Sequence, residues 1–152
     1  MKKTVAGFIA GFIVLSFAGT SIAGDFKAVS IVKPKNGAWV TNPVEICMEV
    51  FGLEVEPSKM GVHEGKGHHH LLVDVEIPSA PGLARPLQKD SRYIHLGDGS
   101  SCKTLNLATG DRKITALFAD GNHVPYDPPI ASTIEIKVYC PGHLGSFHGE
   151  CP

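Results

Sequence analysis

From Val44 to Val50 the chain alternates without a break, with Val44, Ile46, Met48 and Val50 at every second position and Glu45, Cys47 and Glu49 between them. Only an extended chain sends such residues to opposite sides, so this segment reads as a β-strand with one face in a core and the other in water. Residues 133–138 repeat the pattern, with Ile134, Ile136 and Val138 opposed to Glu135 and Lys137. Turn formers separate these runs: Pro34-Lys35-Asn36-Gly37, Asn42-Pro43, Gly97-Asp98-Gly99 and Gly110-Asp111. No stretch from Phe26 onward keeps a helical period over three turns. Strands are expected over residues 26–32, 39–40, 44–51, 69–77, 92–96, 102–107, 112–119 and 133–138. About seven strands at this spacing predict an all-β fold, an immunoglobulin-like antiparallel β-sandwich.

The 152-residue chain opens on Met1-Lys2-Lys3, continues in an apolar run from Val5 to Ala18, and reaches Ser21-Ile22-Ala23 before Gly24. A short positive region, an apolar region and a small-x-small site form a secretory signal, and the apolar run is shorter than the roughly 20 residues that span a bilayer. The expected organisation is a signal peptide over 1–23, a β-sandwich over 24–139 and a Cys/His/Gly/Pro-rich tail over 140–152. The mature chain is expected to have no membrane span and to be periplasmic or secreted. With 14 basic against 15 acidic residues and no basic cluster, nucleic acid and anionic membrane surfaces are not expected partners. Cys47, Cys102, Cys140 and Cys151 all follow the leader, where an oxidising compartment preserves disulfides. Outward alternation on neighbouring strands favours Cys47 with Cys102, and the tail ends favour Cys140 with Cys151.

Eight histidines are present. If strands run alternately up and down, three connections emerge at one end of the sandwich. They hold or adjoin His63 and His68-His69-His70, then His95, then Asp120, His123, Tyr126 and Asp127. His68 and His70 share a strand face about 7 Å apart, while His69 points away. Imidazole is the commonest side-chain ligand for late transition metals, and a nitrogen-rich rim with no thiolate suits Cu(II) or Zn(II) better than Cu(I). The expected ligands are His68, His70, His95 and His123, with His63, His69, Asp74, Asp120 and Asp127 as further candidates. His143 and His148 lie in the tail and are expected to stay in solvent.

Three runs carry a family resemblance: Gly67 to Asp74 with its triple histidine, Ile94 to Gly99, and Asp120 to Pro129 with its His-x-Pro-x-x-Pro-Pro pattern. They are similar to the signatures of the bacterial domain-of-unknown-function family 4399, over about Val29 to Val138. The resemblance implies an exported sandwich with a histidine-lined end. The chain departs from the family where Tyr93 and Tyr126 stand in place of histidine and at Ser101-Cys102-Lys103. The segment from Ile31 to Val40, continuing through Pro43 to Ile46, also resembles the opening of many bacterial immunoglobulin-like domains.

Other chemistry has less support. There is no Gly-x-Ser-x-Gly and no Cys-x-x-Cys, His63-Glu64 lacks a zinc-protease spacing, and the aspartates lack the alternation of a calcium loop. The leading expectation is an exported, non-enzymatic metal-binding domain. The competing one is a module that contacts an envelope protein or a glycan through the same rim with Tyr126, Pro128 and Pro129. There the histidines tie loops together or respond to pH.

Overall fold

The computed structural model describes residues 26–141. Within them the strands are β1 (Ala28–Lys33), β2 (Trp39–Val40), β3 (Val44–Phe51), β4 (Glu54–Val55), β5 (Lys66–Val73), β6 (Tyr93–His95), β7 (Cys102–Leu105), β8 (Gly110–Ala119) and β9 (Ala131–Val138). A three-stranded sheet has the order β1-β3-β7, and a six-stranded sheet runs β2-β9-β8-β5-β4, with β6 also paired to β5. The alternation in β3 and β9 does what it implies. Val44, Ile46, Met48, Ile134, Ile136 and Val138 are buried, while Glu45, Glu49 and Glu135 face water. Those apolar residues meet Val29, Ile31, Leu71, Ile114 and Ala116 in one core between the two sheets, each fully buried aliphatic side chain contributing about 1.5–3 kcal/mol. The fold is an all-β sandwich.

Pairing is antiparallel except at two short strands, β2 on β9 and β4 on β5. β5 also starts and stops earlier than the expected 69–77. Its start is extended by β4, which pairs Glu54 with Lys66 and Val55 with Gly67. Its end is set at Asp74, whose backbone is left-handed at φ 54° and whose carboxylate accepts from Lys113 N at 2.9 Å and Arg112 Nη1 at 2.7 Å.

The outer face of β5 is covered. Leu72, Leu117 and Ala119 join Leu87 in a second apolar cluster, against which Val75, Ile77 and Tyr93 pack. The connection between β5 and β6 thus lies over this face, with a short helix, α1 (Ala80–Leu83), that carries proline in its first turn. Every residue from Gly67 to Leu72 is buried. Cys47 and Cys102 face each other across β3 and β7 and are bonded, their Cα atoms 4.1 Å apart. Cys140 is also disulfide-bonded, and its expected partner Cys151 lies outside the described residues. So do the expected leader, His143 and His148. Among the described residues no helix is long and apolar enough to cross a membrane.

Candidate metal centre

The period of two puts His68 and His70 on one side of β5, the side of Leu72. β6 pairs antiparallel with β5 so that His95 stands directly opposite His70, and opposed residues share a face. On the other edge of β5, His68 is opposite Ala119, the last residue of β8. Immediately after it the chain turns, and Asp120 shapes the turn: its Oδ1 accepts from Asn122 N at 2.8 Å and Val124 N at 2.9 Å. His123 takes the left-handed conformation at φ 68°, which costs a non-glycine residue about 1–3 kcal/mol and marks an over-determined position. Its carbonyl accepts from Leu87 N at 2.9 Å, tying the turn to the covering connection.

The result is a cluster of four imidazoles. Their ring centroids are 4.9 Å apart for His68 and His70, 4.9 Å for His68 and His95, and 5.0 Å for His68 and His123. The remaining separations are 5.1 Å for His70 and His95, 5.8 Å for His70 and His123, and 4.5 Å for His95 and His123. His68, His95 and His123 each offer one ring nitrogen, and these three atoms lie within 4.8 Å of one another. His70 lies outside that set of three, with its Nε2 in hydrogen-bond contact with Nε2 of His68 at 3.1 Å. His68 and His70 are 0% exposed, whereas His95 and His123 are half-buried, so the cluster meets solvent on the side of the latter two.

Burial keeps these rings neutral. Desolvation, then the adjacent His95 and His123, hold His68 down to about 4. Desolvation followed by the three neighbouring imidazoles takes His70 to about 2. His95 and His123 are lowered as well, His95 by desolvation, then the adjacent His123 and Lys89, and His123 by desolvation, then Lys89. Each neutral ring keeps a lone pair on one nitrogen. Apart from the His68–His70 contact, His68 Nδ1, His70 Nδ1, His95 Nε2 and His123 Nδ1 are buried without a hydrogen-bond partner.

Small residues let these elements close up. A methyl group on Gly97 would lie 2.0 Å from Cε1 and 2.2 Å from Nε2 of His95, so the His95 ring rests on the bare Cα of Gly97. Gly97 does not have a positive φ, so space, not backbone freedom, is what requires glycine there. Likewise a methyl on Gly67 would fall 2.0 Å from Ala119 O, and one on Gly121 would fall 1.7 Å from Gly61 O. The segment carrying Gly61 also reaches Gly97, where Ser58 N donates to the carbonyl at 2.9 Å. One short stretch therefore braces the turns beside both His95 and His123.

The other expected candidates sit elsewhere. His63 is exposed, with its Nδ1 2.6 Å from Glu56 Oε1. His69 points to the opposite face of β5, its ring edge-on to Phe118 at 5.3 Å, and burial takes it to about 4. Asp74 is committed to Arg112 and Lys113, Asp120 shapes its turn, and Asp127 is exposed. Tyr126 donates its hydroxyl to Lys66 O at 2.8 Å, and Tyr93 packs on the second apolar cluster. In the sequence Gly97-Asp98-Gly99 reads as a turn within a family-signature run, and the signal for the role of Gly97 is a glycine two residues beyond a candidate ligand.

The family model described as "Domain of unknown function (DUF4399)" matches residues 46–139. The chain belongs to the DUF4399 family. The matched span holds all four clustered histidines, Gly97 and Gly121, so the cluster lies wholly inside the DUF4399 domain. No curated protein matches the chain. Among solved structures, the chain is similar to the endo-beta-1,4-mannanase from Thermotoga petrophila, at 16% identity and a TM-score of 0.42, over 75% of this chain and 20% of the mannanase chain. The DUF4399 chain thus spans about a fifth of that protein's length.

Proposed function

We propose that the protein is an exported, non-enzymatic domain that binds one Cu(II) or Zn(II) ion through His68, His70, His95 and His123. The observation that carries this reading is the mutual approach of four imidazoles, with centroid separations from 4.5 to 5.8 Å. Histidines that merely tie loops together would use their ring nitrogens as donors and acceptors. Here His95 Nε2 and His123 Nδ1 are buried with no partner, each an arrangement that costs about 1–3 kcal/mol, and Nε2 of His68 and Nε2 of His70 have only each other. An ion at the centre supplies a partner for lone pairs that converge, and it offsets that cost. Neutral rings suit this role, since only the unprotonated nitrogen donates to a metal.

A bound ion in such a site would lock β5, β6 and the 120–123 turn together, and its chemistry would be that of a held charge. The experiment is elemental analysis of protein purified without a histidine tag, followed by titration with either ion near pH 7. Absence of saturable binding would leave the partner-binding module as the remaining reading. Export is tested by N-terminal sequencing of protein from the cell envelope: a start at Gly24 supports it, and a retained Met1 refutes it.

A further inference from the structure

We infer that this site selects zinc over copper, because the centroids of its four imidazoles stand near the corners of a tetrahedron. The inference rests on the metal-binding reading above. A zinc–nitrogen bond of about 2.0–2.1 Å sets each imidazole centroid about 3.2 Å from the ion, so tetrahedral corners are all about 5.2 Å apart. A square arrangement at the same radius instead gives four separations of about 4.5 Å and two diagonals of about 6.4 Å. The diagonals of a square join two pairs that share no ring.

Three such divisions of four rings exist, and none has two long members. His68–His70 with His95–His123 gives 4.9 and 4.5 Å. His68–His123 with His70–His95 gives 5.0 and 5.1 Å. His68–His95 with His70–His123 gives 4.9 and 5.8 Å, so even the longest separation is matched by a short one. The Nε2 atoms of His68 and His70, 3.1 Å apart, are also near the roughly 3.3–3.4 Å edge of a tetrahedral nitrogen set. The nitrogens of His68, His95 and His123 draw in from at most 4.8 Å to that edge, a closure of about 1.5 Å or less.

Zn(II) has no electronic preference that opposes a tetrahedron, whereas Cu(II) favours a tetragonal set. Flattening the cluster would have to break structure. His70 and His95 are opposed across a ladder, His68 shares the His70 strand, and His123 is held by its turn and by Leu87 N. Simple nitrogen sites bind Cu(II) above Zn(II), so rings disposed as a tetrahedron work against the usual order.

The test uses the untagged protein loaded with one equivalent of Zn(II), challenged with one equivalent of Cu(II), and read by metal analysis after desalting. A parallel sample carries Co(II) as a reporter of geometry. Retention of most of the zinc, together with the intense visible absorption of tetrahedral Co(II), is the expected result. Replacement of zinc by an equivalent of copper, with the spin-resonance signature of tetragonal Cu(II), would overturn the selectivity while leaving the metal site standing. Failure of zinc, copper and cobalt alike to bind would overturn both.

Discussion

Replacing Gly97 with alanine adds one methyl group at a place where it would lie 2.0 Å from Cε1 and 2.2 Å from Nε2 of His95, and 2.8 Å from Ser58 Oγ. Ordinary carbon contacts begin near 3.5 Å, so the His95 ring must retreat by more than about 1 Å. The backbone at Gly97 does not oppose alanine, since its φ is not positive. The displacement therefore falls on the ring. Metal–ligand distances tolerate about 0.2 Å, so His95 would cease to be a ligand. Loss of a supporting contact typically weakens metal affinity about 10–100-fold, and loss of the ligand itself should reach at least the upper part of that range. The metal-free fold should lose about 1–3 kcal/mol, the usual cost of overpacking. Competition titration against a chelator measures the affinity, and urea unfolding of the metal-free variant measures the stability separately. An affinity within threefold of the parent would show that His95 takes no part in binding, and the account would fail at that residue.

Three further outcomes are expected. A metal ion at one hundred times its dissociation constant should raise unfolding free energy by about 2.7 kcal/mol. His70→Ala or His123→Ala should remove most of that gain in thermal melts, whereas His143→Ala with His148→Ala should leave it. In the metal-free protein, His68 and His69 titrate near 4 when folded against a reference of 6.5, so below pH 6.5 the unfolded chain takes up protons first. Stability is thus whole above pH 6.5 and declines as pH falls toward 4, by on the order of 2 kcal/mol for each ring at pH 5. Urea midpoints that do not change between pH 7 and pH 5 would contradict the burial of neutral rings. Cys47→Ser with Cys102→Ser opens a loop of 55 residues, and unfolding free energy should fall by about 4 kcal/mol, with m-values reporting any change in the unfolded state.

Strict alternation made β3 and β9 readable residue by residue, because each has one wet face and one buried face. The same period put His68 and His70 together, and the loop-end argument added His95 and His123. What actually joins His95 to them is a ladder pair with His70, which requires knowing that β6 lies beside β5. β5 itself was harder to bound. Buried on both faces, it has no polar side to mark its ends, and its first residues gain a partner in the two-residue β4. The cover over the histidine face was legible in part: Val75, Ile77 and Tyr93 lie in expected strands, whereas Leu87 sits in a connection of low periodicity that carries no strand or helix signal. His63, Asp74 and Asp120 look like ligands in sequence because ligand types are also the types that form ion pairs and turns. Only their partners Glu56, Arg112 and Val124 distinguish the two uses.

The most direct test of the central claim is equilibrium dialysis of the untagged protein against Zn(II) at pH 7, with the ion counted per chain. The account predicts saturation at one tightly held ion, lost when His70 and His123 are both replaced by alanine. A chain that holds no ion, or a double variant that holds it as tightly as the parent, would contradict it.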